Sequence, residues 1–262
     1  MDYTNIIFKT EENIATITFN RPKALNALNT PLLNEFSNAL DEIYKNEAIK
    51  VLILTGAGEK AFVAGADITE LSKLNALQVK FFLKKGHEII DKLQMLPIPV
   101  IAAINGFALG GGSEIALACD FIYASENSTF GLPEILLGII PGFGGTQRLP
   151  RLVGKNIAKE MIFTGKMISG AEAEKIGMVN KICPKDKLME EVLNTAKNLA
   201  AKGRVALRAA KEAINWGMNS DLATGCAFEI DACALCVASE DAKEGLSAFL
   251  DKRIANFKGG LK

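Results

Sequence analysis

Glu114 and Glu134 each close a segment built for tight backbone geometry: FALGGGSE (107–114) and FGLPE (130–134), the second running on through ILLGIIPGFGGTQRL to residue 149. Two carboxyl groups beside exposed backbone amides suit chemistry on a carbonyl compound, where amides hold an oxyanion while the acids move protons. Competing equipment is sparse. The chain has one histidine, His87, no phosphate-binding P-loop and no full metal-ligand set. Ser113 has no histidine visibly paired with it, which argues against a serine nucleophile.

Each segment also has a plainer reading. Gly110-Gly111-Gly112 opens a helix whose first N–H groups are unpaired and positive, so the Gly111 amide could polarise a carbonyl oxygen with Glu114 one turn away. The plain alternative is a helix start with a favourable acid. Triple glycine costs backbone entropy, which favours function. Glu134 follows Pro133 in an apolar stretch, so its carboxyl is either raised in pKa or paired, for instance with Arg148. Ala64-Gly65-Ala66 admits close approach to its backbone and is otherwise an ordinary loop after a buried strand. Pro141-Gly142-Phe143-Gly144-Gly145 lacks the order of a nucleotide loop and reads as a turn that can offer an amide. Cys226, Cys233 and Cys236 share a helix face but lack a second pair for zinc, so they read as packing thiols. His87 sits in a polar helix and reads as solvated.

The elements that must hold these groups follow from periodicity. Alternation over residues 4–20 around Glu11-Glu12-Asn13 predicts a hairpin. Pro31 starts a helical pattern through Leu32, Phe36, Leu40 and Ile43. Val51 to Thr55 is a continuous apolar run, as in a strand covered on both faces, ended by Gly56. A loop over 56–69, a helix over 70–95, a strand over 100–104 and a helix from 110 to about 119 come next. Short strands are expected at 120–124 and 129–130, and helices at 144–152, 154–164, 169–176 and 186–200. From Gly203 the pattern is almost purely helical to Phe257. The composition shift near residue 195 divides the chain into a catalytic core, 1–195, and a helical C-terminal region, 196–262.

Composition narrows the classes. At 262 residues and 49% apolar the chain can bury a large core. Lys+Arg and Asp+Glu are both 30, so the net balance points to neither nucleic acid nor an anionic membrane surface. The apolar stretch 97–119 carries Asn105 and Glu114, against a membrane span. The N-terminus lacks signal-peptide features, and five unevenly spread cysteines read as reduced thiols, so a cytoplasmic location is expected.

Six segments, in order along the chain, resemble the crotonase (enoyl-CoA hydratase) superfamily: NRPKALNAL (20–28), KAFVAGADI (60–68), AAINGFALGGGSEIALACD (102–120), FGLPEILLGIIPGFGGTQRL (130–149), TGKMISGAEAEKIGMVN (164–180) and EGLSAFLDKRIANF (244–257). The resemblance implies an α/β fold of repeated ββα turns stacked into a spiral, with a C-terminal helical region that trimerises; two trimers commonly pair into a hexamer. Keeping both acids resembles the hydratase branch, which adds water reversibly and with syn geometry across a short-chain trans-2-enoyl-CoA such as crotonyl-CoA. No metal or redox cofactor is implied, coenzyme A being part of the substrate.

The resemblance also implies roles. Glu114 and Glu134 match the catalytic acids, Ala66 and Gly111 the oxyanion-hole amides, and Gly142 a glycine whose amide positions the water. Ala64, Asp67 and Ile68 match the wall along adenine and pantetheine, and Lys23 a basic residue near the phosphates. Phe249 and Lys252 match residues that reach the coenzyme A of a neighbouring subunit. Thr69, Leu132 and Phe143 depart from common members, where lysine, glutamine and alanine are frequent; Phe143 implies a narrower acyl end. The rival readings are another acyl-CoA enzyme of this fold, an isomerase or a thioester hydrolase, and a non-catalytic RNA-binding member.

Overall fold

The structure, a computed structural model, describes residues 3–260. β1 (Ile6–Glu11) and β2 (Ile14–Phe19) pair antiparallel with Glu11 opposite Ile14. Glu12 and Asn13 join them at φ of 46° and 68°, the left-handed pair that suits a two-residue hairpin turn. Pro22–Ala24 forms a 3-10 turn. In α1 (Thr30–Lys45) the Asn29 side chain accepts from Leu32 N and Pro31 occupies the first turn, both favourable at a helix start.

Two sheets then grow side by side. β3 (Val51–Gly56), β5 (Val100–Ile104) and β7 (Phe121–Ser125) each join a six-stranded sheet of order β1-β2-β3-β5-β7-β10, in which β10 is Lys181–Cys183. Each is followed by a short strand in a second sheet: β4 (Ala61–Val63), β6 (Phe107–Leu109) and β8 (Thr129–Gly131), closed by β9 (Ile168–Ser169). Helices follow each strand pair: α2 (Ile68–Leu71) and α3 (Ala76–Gln94), α4 (Gly111–Ala116), then α5 (Gly145–Val153) and α6 (Lys155–Thr164). The repeat is ββα, wound as a spiral, as the resemblance implies. Pairing between successive turns is parallel; β1 with β2 and β8 with β9 are the antiparallel pairs.

The apolar run in β3 is explained by burial on both faces. Leu52 and Leu54 enter the main core with Val100, Ala102 and Ile104. Val51 and Ile53 face the other way, against Ile101, Ala103 and three residues of α8 (Leu188–Ala200): Leu188, Val192 and Ala196. α7 (Gly170–Lys175) starts at a Ser169 capping box.

Several expectations need correction. The helix over 70–95 is two helices, because Asn75 caps α3 in a reciprocal box with Gln78 and breaks the run. The loop at 56–69 contains β4, and the residues before the glycine triplet form β6; these two three-residue strands carry too little alternation to stand out. Residue 195 lies inside α8, whose Ala196 packs on the sheet, and Gly203 precedes the last three helices. Beyond it lie α9 (Arg204–Gly217), α10 (Leu222–Val237) and α11 (Glu240–Leu250). The expected helix through Phe257 ends earlier. Lys252 turns left-handed at φ 55°, and the tail folds back, Asn256 N donating to Glu244 and Gly259 N to Asp241.

α9 is tied to the core by polar side chains. Lys211 Nζ lies 2.8 Å from Asp120 Oδ2 and donates to Ile98 O, and Arg204 donates to Glu47 O and Ile49 O. α10 has no buried residue within the chain. Among the described residues no single helix is long and apolar enough to cross a membrane.

Candidate active site

The three glycines before Glu114 solve separate steric problems. Gly110 has φ 50°, and a Cβ there would stand 2.6 Å from Glu134 Oε1. At Gly112 a Cβ would collide with Val63 O of β4, so α4 can lie directly on the second sheet. Gly111 is the first residue of α4, where its N–H has no acceptor in its own helix. α4 is thereby pressed against β4, and Glu114 points into the interior at 2% exposure.

Glu114 is held by the loop that precedes α5. Phe143 N and Gly145 N both donate to Glu114 Oε1, each at 2.7 Å. Burial is the largest influence on this carboxyl and pushes it up to about 7, with the nearby Glu134 charge adding to the rise; the two amides and Arg148 pull the other way. Glu134 sits in the 3-10 turn Pro133–Leu137. Burial raises its pKa as well, and its buried Oε2 has no hydrogen-bond partner among the described residues. The alternative pairing with Arg148 is not formed. Arg148 instead donates to Gln94, Phe143 O and Asp91, at 2.9, 3.2 and 3.1 Å.

Both glutamates line one cavity of about 480 Å3, mostly apolar, with Ala66, Gly111, Gly142, Phe82, Leu83 and Phe143 in its wall. Ala64 and Ile68 line it too. The Ala66 and Gly111 N–H groups have no acceptor among the described residues. The arrangement can polarise a carbonyl and exchange protons beside it. A larger cavity of about 750 Å3 lies between α3, α5 and α9 and holds neither glutamate, so volume does not identify the site. Half-buried His87 lines that second cavity.

Part of the cavity wall is aromatic. The Phe143 and Phe82 rings are 5.6 Å apart, and Gly86 leaves no room for a Cβ beneath Phe143. Other expected residues lie outside the cavity wall. Lys23 is exposed on its 3-10 turn, and Phe249 and Lys252 are exposed at the end of α11. Asp67 does not line the cavity; its carboxylate meets Arg21 at 2.9 Å and caps α2 through Thr69 N. Arg21 holds that carboxyl below its usual range. Ser113 is structural, donating to Ala108 O at 2.6 Å. Cys226 and Cys233 are exposed and not packed within the chain. Among the described residues no group of three or more His, Cys, Asp or Glu could hold a metal ion.

The sequence matches the family described as Enoyl-CoA hydratase/isomerase over residues 9–260. The chain belongs to that family. A crotonyl-CoA hydratase of Syntrophomonas wolfei is 48% identical over 98% of this chain and 99% of its own length. A short-chain-enoyl-CoA hydratase of Clostridium acetobutylicum is also 48% identical, with the same coverage. The crystal structure of an enoyl-CoA hydratase from Bacillus anthracis superposes with a TM-score of 0.94 at 44% identity, over 97% of this chain and 99% of that one. Within this family fold, sequence reading missed the role of Asn26, which is fully buried with three side-chain hydrogen bonds. An asparagine that closes a turn after proline was the available signal.

Proposed function

We propose that this protein adds water reversibly, with syn geometry, to short-chain trans-2-enoyl-CoA thioesters, crotonyl-CoA being the preferred substrate. One observation carries the reading: a buried and a half-buried carboxyl group, both with raised pKa, share an apolar cavity with two unpaired backbone amides. The names of the relatives favour the same substrate class.

In this reading the thioester oxygen accepts from the Ala66 and Gly111 N–H groups. A water held between Glu114 and Glu134, and by the Gly142 amide, bonds through its oxygen to the β-carbon. The π electrons move toward the thioester oxygen, and the two amides hold the enolate-like charge; each such donor is worth about 2.7–4 kcal/mol. One glutamate takes the proton lost by the water, and the other, protonated, delivers a proton to the α-carbon. Two close carboxyls in an apolar cavity are not both charged cheaply, which provides one acid and one base near neutral pH. Coenzyme A runs along Ala64 and Ile68, which line the cavity, with Lys23 near its phosphates. Phe249 and Lys252 reach it from a neighbouring subunit of a trimer or a hexamer built from two trimers. The protein works in the cytoplasm without a metal or redox cofactor.

Mixing the pure protein with crotonyl-CoA and following the conjugated enoyl absorbance tests the reading. Loss of absorbance without release of free coenzyme A is expected. Thiol release would indicate a hydrolase, and no change at all would refute the proposal.

A further inference from the structure

The segment that carries Ala66 takes its conformation from outside the cavity. Leu28 and Ala66 form an isolated parallel bridge, in which Leu28 N donates to Gly65 O and Asp67 N donates to Leu28 O, each at 2.8 Å. The bonded groups belong to the residues on either side of Ala66, so its own N–H is turned away from Leu28. Ala64 N donates to Leu25 O at 3.1 Å and extends the contact.

The partner segment is in turn held by two side chains. Asn26, at φ 59°, accepts from Arg21 N at 2.9 Å and donates to Ala57 O and Ala61 O at 3.0 and 2.8 Å. It thus ties the segment to both ends of the loop that leads into β4. The Arg21 guanidinium donates through one nitrogen to Ala27 O and through another to the Asp67 carboxylate. One planar fork therefore spans both partners of the bridge, a geometry that lysine does not reproduce. Arg21, Asn26 and Asp67 are all absent from the cavity wall.

We propose that Arg21 and Asn26, with Asp67, are positioning residues for the oxyanion hole: they clamp the Leu28–Ala66 bridge and so aim the Ala66 N–H at the thioester oxygen. This rests on the hydratase reading above. It gives the Asp67 carboxylate a partner inside the protein rather than coenzyme A.

The test compares Arg21→Gln, Asp67→Asn and the double variant with the unsubstituted full-length protein. Asparagine at 67 keeps the helix cap and removes the charge. Two readouts are taken: kcat and KM for crotonyl-CoA, and the red shift of a bound aryl-conjugated enoyl-CoA, whose absorbance reports polarisation of the carbonyl. Arg21→Gln is expected to lower kcat by about 10²-fold, the cost of roughly 1 Å of misplacement. KM should stay within a few-fold and the red shift should shrink. Asp67→Asn should lose less in the same direction, and the double variant should be no worse than Arg21→Gln, because both act on one clamp. Undiminished kcat, a kcat loss with the full red shift retained, or additive losses would overturn the proposal. If Arg21→Gln does not fold, Asp67→Asn decides alone through its red shift. Failure of the unsubstituted protein to hydrate crotonyl-CoA counts against the proposed function instead.

Discussion

At the residue scale, Glu114 and Glu134 were legible because each is an isolated acid beside glycine in apolar sequence. What holds Glu114 was not: the amides of Phe143 and Gly145 come from a loop whose approach depends on the whole spiral. If the two are acid and base, Glu114→Gln and Glu134→Gln should each lower hydration by about 10²–10⁴-fold with little change in substrate binding; near-normal turnover in either would remove it from the mechanism. The raised Glu114 pKa has a second consequence. Its ordinary value is 4.5 and its folded value about 7, so between these the folded protein keeps a proton that the unfolded chain releases. Stability from this group is full below pH 4.5 and is lost as pH rises through 7, by up to about 3 kcal/mol. Thermal unfolding at pH 5 and pH 8 should show the unsubstituted protein losing ground to Glu114→Gln, and parallel curves would contradict the shift. Phe143 packs against Phe82 in the cavity wall and is proposed to bound the acyl end. Phe143→Ala should move the ratio of kcat/KM values toward six- and eight-carbon enoyl thioesters, and an unchanged ratio would place the length limit elsewhere.

At the element scale, periodicity found what periodicity can find. The two-faced burial of β3 and the length of α1 were readable, whereas β4, β6 and β9 are too short to show a period. The break before α3 was written in Asn75 and Gln78 but lay within a continuing apolar pattern. The docking of α9 was invisible, since Lys211 meets Asp120 only in the folded chain. Their side chains are 10% and 22% exposed, and burial raises the Asp120 pKa against the pull of Lys211. Removing the cation strands a buried carboxylate, so Lys211→Met should destabilise the protein by roughly 3 kcal/mol. Asp120→Asn in the same chain keeps an acceptor for Val100 N and should recover most of the loss. Urea midpoints measure both, and a Lys211→Met midpoint equal to that of the unsubstituted protein would show that α9 does not depend on this pair.

At the scale of the whole molecule, the chain leaves a large apolar surface on its C-terminal helices. Leu222, Ile230, Leu235, Phe249 and Leu250 are exposed, and α10 buries no residue of its own. The proposed oligomer would cover this surface, and closed rotational symmetry is the usual way to do so. Phe249 and Lys252 lie outside the cavity wall of their own chain, so the proposed oligomer makes a specific demand: each site is completed by its neighbour. Subunit mixing tests this demand. One parent carries Glu114→Gln with Glu134→Gln and has no working acids. The other carries Phe249→Ala with Lys252→Ala and keeps its acids but offers nothing to the next subunit, so it should show a raised KM. In mixed assemblies some sites pair intact acids with an intact neighbouring helix, and these should regain the KM of the unsubstituted protein. Native mass spectrometry with one parent isotope-labelled establishes that mixing has occurred. Recovery cannot arise if Phe249 and Lys252 serve their own chain, because no single chain in the mixture then carries a complete site; mixed assemblies that keep the raised KM would sink the shared-site arrangement and leave the apolar helices with assembly alone.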